Sequence, residues 1–472
     1  MSSAPLEADY VVVGAGATAM AFVDTLLGES PQASVLMVDR QHRPGGHWND
    51  AYPFVRLHQP SEWYGVASSE LSHFTKDAVG FNAGLYGLAS GAQVLAYFDR
   101  VMQQRFLPSG RVRWLPMSEL HRSVDGTLRA ESLTSGASQP VVARGKLVDA
   151  THAQTAVPAT HAPKYAVAEG VECIPLNRLP QTRRPYRNYT VVGSGKTGMD
   201  AVLWLLENGV DPGCIRWVMP RDAWLMNRTN FQPGIENFER SIGSNIAQME
   251  AIAAAESIPD LFKRLEAHEL LLRIDPNVEP STYRCAVVSP NELAQLRRVH
   301  DVVRLGHLRR VESAQIVLER GSVAAEADTL YIDCSASAIV APPSVPVFDG
   351  PRIHLLMVRT CQPLFSAALI AWVESHVADA AEQNSLCSVV PSPERPIDWL
   401  RMWQQSLVNG ARWRQCAGLG GWQMACRLNA FAVYARPLKP DDSERLALLQ
   451  TMGARSAAAL PKLQALLAGA HA

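Results

Sequence analysis

An α/β protein with two strand–turn–helix units, a helical insertion and a helical C-terminal tail is the fold that the sequence predicts. Three observations carry it. A β-branched run at Tyr10–Val13 enters a Gly-rich turn and then a helix pattern. The same order recurs at Tyr189–Asn208. A stretch rich in Ala, Glu and Leu at helical spacing occupies Ile246–Leu271, and amphipathic helical spacing marks Leu446–Leu467. The 472 residues suffice for two or three domains, and 47% apolar with 19% charged residues is ordinary for a globular chain.

The first unit reads Gly14-Ala15-Gly16-Ala17-Thr18-Ala19, followed by helix formers from Met20 to Leu27. Gly14 allows the tight turn, and Gly16 lets a pyrophosphate approach the backbone. Ala19 allows the helix to pack closely on the sheet. A second strand, Ser34–Val38, ends in Asp39, about 20 residues on, where a carboxylate accepts hydrogen bonds from a ribose. Turn, helix and acid together predict a dinucleotide site with its phosphates at the helix N-terminus.

The second unit is Gly193-Ser194-Gly195-Lys196-Thr197-Gly198, with a helix pattern from Met199 to Asn208. Its Gly-Lys-Thr string invites a phosphate-loop NTPase reading. That motif needs a Gly five positions before Gly195, and Thr190 stands there inside the strand. The NTPase reading is rejected. The following strand, Cys214–Met219, ends without an acid and continues Pro220-Arg221-Asp222. Arg221 suits a 2′-phosphate, with Lys196 as a second point charge, so NADPH is favoured over NADH. Asp222 leaves room for a ribose 2′-hydroxyl instead, and Arg221 could equally be a solvated surface charge.

Beyond Asp39 the chain reads Arg40-Gln41-His42-Arg43-Pro44-Gly45-Gly46-His47-Trp48, then Ala51-Tyr52-Pro53-Phe54-Val55-Arg56-Leu57-His58. An acid, a basic residue, Gly-Gly-x-Trp and Tyr-Pro resemble the N-terminal region of flavin-containing and Baeyer–Villiger monooxygenases. The resemblance implies two Rossmann-like domains, an FAD domain with an NADPH domain inserted into it. It implies that Gly45, Gly46, His47 and Trp48 touch FAD. It also implies flavin chemistry, in which NADPH reduces FAD and reduced flavin meets molecular oxygen to form a hydroperoxide that oxygenates a small molecule. His58 stands where Baeyer–Villiger enzymes usually carry Asp. It could titrate near neutral pH as acid, base or hydrogen-bond donor, or pack against a carbonyl. Arg56 could steady an anionic flavin or an acidic substrate, or lie on the surface. Gln362 is implied to contact the isoalloxazine ring.

The insertion implies two crossings. Candidates are Leu147-Val148-Asp149-Ala150-Thr151-His152 and Tyr331-Ile332-Asp333-Cys334-Ser335-Ala336, followed by Val157-Pro158 and Pro342-Pro343. Asp333 is expected near the flavin as the chain re-enters the first domain. The expected division is 1–185 and 325–390 for FAD, 186–324 for NADPH with a helical insertion over 229–292, and a helical segment over 391–472. The tail is expected to form a dimer surface or to pack on its own FAD domain. The monooxygenase fingerprint Phe-x-Gly-x-x-x-His is incomplete: Ala168–Ile174 keeps Gly170 and lacks the Phe and His. That departure keeps open a flavin reductase or dehydrogenase without oxygen transfer, and a non-catalytic redox sensor.

Several classes are excluded or disfavoured. A net charge of −1 without basic clusters disfavours nucleic acid. No apolar run reaches the roughly 18 residues of a membrane span. The polar N-terminus lacks a secretion signal, so a soluble cytoplasmic protein is expected. The eight cysteines include no C-x-x-C pair, so no metal site or dithiol motif is expected, and all are read as reduced thiols. A disulfide reductase is disfavoured on the same ground.

Overall fold

The computed structural model describes residues 4–71, 74–152, 157–335 and 345–470. Its first sheet has Leu6–Val13 at the centre, parallel to Val35–Val38 on one side and to Ser138–Asp149 on the other. Val112–Leu115 extends it beyond Val35–Val38. Every residue of Val35–Val38 is buried, which fits an all-apolar strand of a parallel sheet covered on both faces. One face is covered by the helix Ala17–Glu29, which packs against Pro363–His376. The latter is buried from Leu364 to Val373, so its sequence shows no polar face. The hairpin Ser118–Arg122 and Leu128–Ser132 extends the sheet, and Ala130 joins Val11 and Val38 in a cluster on the other face.

The chain leaves this sheet at Asp149 and returns to it with Arg352–His354, parallel to Ser138–Asp149. In between it builds a second, wholly parallel sheet. Its strand order is Asp301–Val303, Ile215–Val218, Asn188–Val192, Thr329–Asp333 and Cys173–Pro175. Two strands fall on the other side of the expected division. Cys173–Pro175 and Thr329–Asp333 belong to the second sheet, whereas the division expected from the sequence puts residues up to 185 and from 325 in the FAD domain. Cross-strand pairing decides membership, and Asp333 pairs with Val192. Ala336, Pro342 and Pro343 of the second crossing lie outside the described residues.

The insertion is only partly helical. Helices Phe238–Ala254 and Ile258–Ala267 overlap the stretch Ile246–Leu271, the first starting eight residues before it. Thr282–Val288, however, is a strand beside Ala223–Asn227, with Leu271–Leu272 on the other edge. Its Thr, Tyr and Val content favours a strand, and a register shift opposite Trp224 and Met226 marks a bulge. The tail forms Pro396–Trp413, Leu419–Ala425, Ala432–Ala435 and Ser443–Gly469. Its long last helix packs on Phe238–Ala254 and Pro396–Trp413. Arg427 ties the tail to the N-terminal region by donating to the carbonyls of Glu62, Tyr64 and Val66. No described helix is long and apolar enough to cross a membrane.

The expectation of reduced thiols throughout is corrected. Cys285 and Cys361 form a disulfide. They are 76 positions apart, so no local spacing announces the pair.

Candidate functional site

The first glycine turn is built from its backbone outward. Gly14 has φ of 98°, in the region that favours glycine, and its N–H donates to Val38 O at 2.8 Å. Gly16 is different. Its backbone is ordinary extended chain, and a Cβ there would meet only Gly46 Cα at 3.7 Å. The protein's own packing does not require this glycine. It leaves open space at the N-terminus of Ala17–Glu29, which has no side-chain cap and no acid in its first turn. Ala17 lines that space, and Ala19 is fully buried against the core.

Asp39 is 8% exposed and holds this turn in place. Its carboxylate accepts the N–H of Ala15 and, at 2.7 Å, that of Gln41. Burial raises its pKa, and the two N–H donors oppose that rise. Arg40 beside it is exposed and lies 3.9 Å from Glu119. The Gly-Gly-x-Trp loop folds directly over the turn. The Gly45 N–H donates to Ala15 O, and a Cβ on Gly46 would stand 3.0 Å from Gly16 Cα. His47 stacks on Trp48, whose Nε1 donates to the Tyr64 hydroxyl at 2.7 Å.

Each chain crossing lies under one glycine turn and has the same internal wiring. Asp149 Oδ1 accepts the Thr151 N–H and hydroxyl, and Asp333 Oδ1 accepts the Ser335 N–H and hydroxyl. A Cβ on Gly14 would touch Ala150, and one on Gly193 would overlap Cys334 O at 2.7 Å. Asp333 therefore sits beneath the second turn, not the first. Its pairing with Val192 brings it there, which corrects the expectation that it lies by the FAD turn. His152 shares a 2.7 Å hydrogen bond with His354 and lies 3.4 Å from Asp149.

The second turn repeats the design of the first. Gly193 has φ of 125°. Gly195 is extended, at the uncapped N-terminus of Lys196–Glu207, and a Cβ on it would meet nothing within 4 Å. A Cβ on Gly198 would overlap Gly193 O, so only glycine fits there. Ser194 and Thr197 face the open space. Lys196 is committed within the protein: it pairs with Asp200, which also accepts the Tyr52 hydroxyl. Asp222 is committed too, gripped by two nitrogens of Arg304 at 2.9 and 3.1 Å. Arg221 shares a single carboxylate, Glu394, with Arg284, at 3.1 and 2.7 Å.

Both turns open into one cavity of about 2190 Å³. The cavity exceeds the roughly 300–1,000 Å³ of a single small-molecule pocket. Arg56 and His58 line it, and Arg56 Nη1 donates to Leu88 O. The His58 ring is reached by water within the cavity yet walled by protein. That enclosure lowers its pKa, and Lys196 lowers it further. The lowered pKa favours the neutral ring, a hydrogen-bonding group rather than a cation. Gln362 precedes the helix Pro363–His376, and its Oε1 is buried without a hydrogen-bond partner. So is Thr360 Oγ1. Ile242 and Met249 of the inserted helix and Met452 and Leu460 of the tail add apolar walls.

Other cavity residues carry no sequence motif. Arg228 is 1% exposed, and its Nε and Nη1 have no hydrogen-bond partner. Arg359 donates to Asn429 and lies over Phe365, and burial pulls its pKa down to about 10. Arg284 and the Cys285–Cys361 disulfide also line the wall. Single charged residues in irregular segments give no spacing signal, so only the fold reveals these.

No family model matches the chain. The sequence is 49% identical over 446 residues to Uncharacterized protein Rv2000 of Mycobacterium tuberculosis, covering 93% of this chain and 81% of that one. It matches Uncharacterized protein Mb2023 of Mycobacterium bovis to the same extent. In fold it is similar to a cyclohexanone monooxygenase from Rhodococcus sp. Phi1 bound to NADP+, at 13% identity and a TM-score of 0.48 over 79% of this chain and 84% of that one. A flavin-containing monooxygenase from Stenotrophomonas maltophilia aligns at 16% identity and 0.43, over 78% and 97%. The bacillithiol disulfide reductase of Bacillus cereus aligns at 11% and 0.44, over 78% and 99%.

Proposed function

The chain belongs to one family with the mycobacterial protein Rv2000, and we propose that it holds FAD on its first glycine turn and NADPH on its second and oxygenates a small molecule. One observation carries the reading. Two uncapped helix N-termini, each fronted by a glycine that the protein's own packing does not need, open into the same cavity. Orphan N–H groups and the helix dipole at such ends attract phosphate.

FAD supplies reversible two-electron chemistry between a nicotinamide and an acceptor. The chain's residues bind and orient. Gly14, Gly16, Ala17 and Ala19 shape the pyrophosphate cradle. Asp39 keeps free lone pairs for ribose hydroxyls, and Arg40 stands beside it. Gly46, His47 and Trp48 form the adjoining wall. The unpartnered oxygens of Gln362 and Thr360 suit the polar edge of a flavin ring, because buried polar atoms without partners are costly. On the second turn, Gly193, Ser194, Gly195, Thr197 and Gly198 cradle the nicotinamide dinucleotide. Arg221 and Arg284 take the 2′-phosphate. Arg304 occupies Asp222, which removes the competing ribose acceptor and favours NADPH. Lys196 serves Asp200 and positions the turn.

Arg56 and neutral His58 offer hydrogen bonds to substrate, and Arg228 offers a second guanidinium. Oxygen transfer requires water to be kept from the reacting flavin. The apolar roof of Ile242, Met249, Met452 and Leu460 supports that requirement. The absent Phe and His at 168–174 favour a second reading, an NADPH-dependent reductase without oxygen transfer. Anaerobic titration with NADPH followed by rapid mixing with oxygen separates the two. Monooxygenation predicts a resolved spectrum distinct from both bleached and oxidised flavin. Direct return of the oxidised spectrum supports the reductase. A protein purified without flavin overturns both.

A further inference from the structure

The disulfide joins two walls of the cofactor cavity that come from different parts of the fold. Cys285 lies in Thr282–Val288, in the small sheet inserted beyond the second glycine turn. Cys361 lies between the returning strand Arg352–His354 and the helix Pro363–His376 of the first sheet. Both residues line the cavity into which the two turns open, and both are half-buried, so each is reached from that space. Cys361 stands between Thr360 and Gln362, whose side-chain oxygens are buried and unpartnered. Those two oxygens mark where a polar ring system fits, and the bond flanks that place.

The backbone speaks against an incidental pair. Cys285 has φ of 54° and Cys361 has φ of 51°. Both lie in the left-handed region, where glycine would be at ease and an L side chain is strained. Such conformations persist where a side chain is needed and the surroundings hold it, and they cluster at functional sites. Arg284 precedes Cys285 and Arg359 stands two residues before Cys361 in the sequence, and both arginines line the same cavity. The other six cysteines are free, and three of them are buried.

We propose that Cys285 and Cys361 form a redox-active cystine, a second two-electron acceptor in the wall of the flavin cavity. The inference rests on the FAD and NADPH reading above. Reduced flavin, itself recharged by NADPH, is the donor. Two electrons and two protons break the sulfur–sulfur bond and leave two thiols, and the flavin returns to its oxidised form. Reduction also unties the inserted sheet from the first sheet's wall. Reoxidation passes two electrons and two protons to a disulfide-bearing acceptor, leaving it as two thiols, or to oxygen, leaving hydrogen peroxide, and the bond re-forms.

The test is a reductive titration of the FAD-loaded full chain, with thiols trapped by alkylation and located by mass spectrometry. Before reduction, Cys285 and Cys361 should resist alkylation. Anaerobic NADPH should be taken up at two equivalents per flavin, and both cysteines should then alkylate. The double variant Cys285→Ser/Cys361→Ser should take up one equivalent and keep its flavin. If flavin bleaches fully with one equivalent while the peptides stay linked, the bond is a structural brace and the proposal is overturned. Free thiols at both positions in the air-exposed protein overturn it as well. If flavin is bound but NADPH fails to bleach it, the nicotinamide reading falls, and photoreduction of the flavin decides the cystine separately. Alkylation of both cysteines after photoreduction sustains the proposal, and a persistent bond ends it. The alkylation readout uses the native sequence, so it stands even if the variant misfolds.

Discussion

The two glycine turns share a backbone design and differ in how the protein closes around them. At the first, the Gly45–Gly46 loop lies on Gly16, and Asp39 clamps the turn through Ala15. The ion pair beside it, Arg40 with Glu119, is long at 3.9 Å and exposed. At the second, the nearby charges are already engaged: Lys196 with Asp200, Asp222 with Arg304, Arg221 and Arg284 with one Glu394. A covered cradle with a fixed acid suits a cofactor that stays. An open cradle ringed by exchangeable ion pairs suits one that enters and leaves with every turnover. The difference predicts a resident FAD and a transient NADPH on similar turns.

The largest expected effect separates the turns by their extended glycines. Gly16→Leu projects a side chain into the first cradle and should cost at least ~10-fold in retained flavin, of the order that overpacking a filled site brings. Gly195→Leu should leave the protein yellow and raise the KM for NADPH by a similar factor. Absorbance of the purified variants and steady-state kinetics check both. Loss of flavin in both variants would break the distinction between resident and transient sites.

Next in size is the phosphate end of the second site. Charge-assisted hydrogen bonds contribute about 1.5–3 kcal/mol when well formed. Arg221 and Arg284 are each more than 40% exposed, so the lower end applies. The double change Arg221→Ala/Arg284→Ala should raise the KM for NADPH about tenfold and leave that for NADH nearly unchanged. Equal effects on the two nucleotides would show that neither arginine reads the 2′-phosphate. A smaller effect of opposite sign sharpens the point. Glu394→Gln removes the carboxylate that the phosphate must displace, an exposed pair worth about 0.2–1 kcal/mol. It should lower the KM for NADPH by roughly 1.4- to fivefold, and an increase would mean that Glu394 orients the arginines.

What is legible in the sequence follows the same divide. The turns are readable because their requirements are local: a left-handed Gly14 or Gly193, an extended Gly16 or Gly195, and a helix that starts at once. Asp39 is readable because it ends the next strand. Residues whose partners lie far along the chain are not. Asp333 looks in sequence like a re-entry into the first domain, but pairing with Val192 places it under the second turn. Asp222 looks like a free acid until the fold brings up Arg304. Thr282–Val288 hides among turn residues because a bulge and short partners interrupt its pattern. Cys285 and Cys361 have no spacing motif, and only the closure of the cavity brings them together.

The smallest expected effect concerns His58, which stands between the two sites. Enclosure lowers its pKa from the ordinary 6.5, and Lys196 acts in the same direction. Lowering a histidine pKa means that the unfolded chain binds the proton more readily than the folded one. Stability contributed by this residue is therefore fully present above about pH 6.5 and is lost as pH falls below it. At pH 7 to 8 the ring is already neutral, so flavin reduction by NADPH should show no inflection assignable to His58. His58→Gln keeps a neutral hydrogen-bonding group there and should leave the reduction rate within about threefold across that range. His58→Ala should lose more, because no hydrogen-bonding group remains there. If the wild-type rate instead inflects near pH 6.5 and His58→Gln abolishes the inflection, the imidazole exchanges a proton during reduction. His58 would then be a true acid–base group shared by the two cofactor sites.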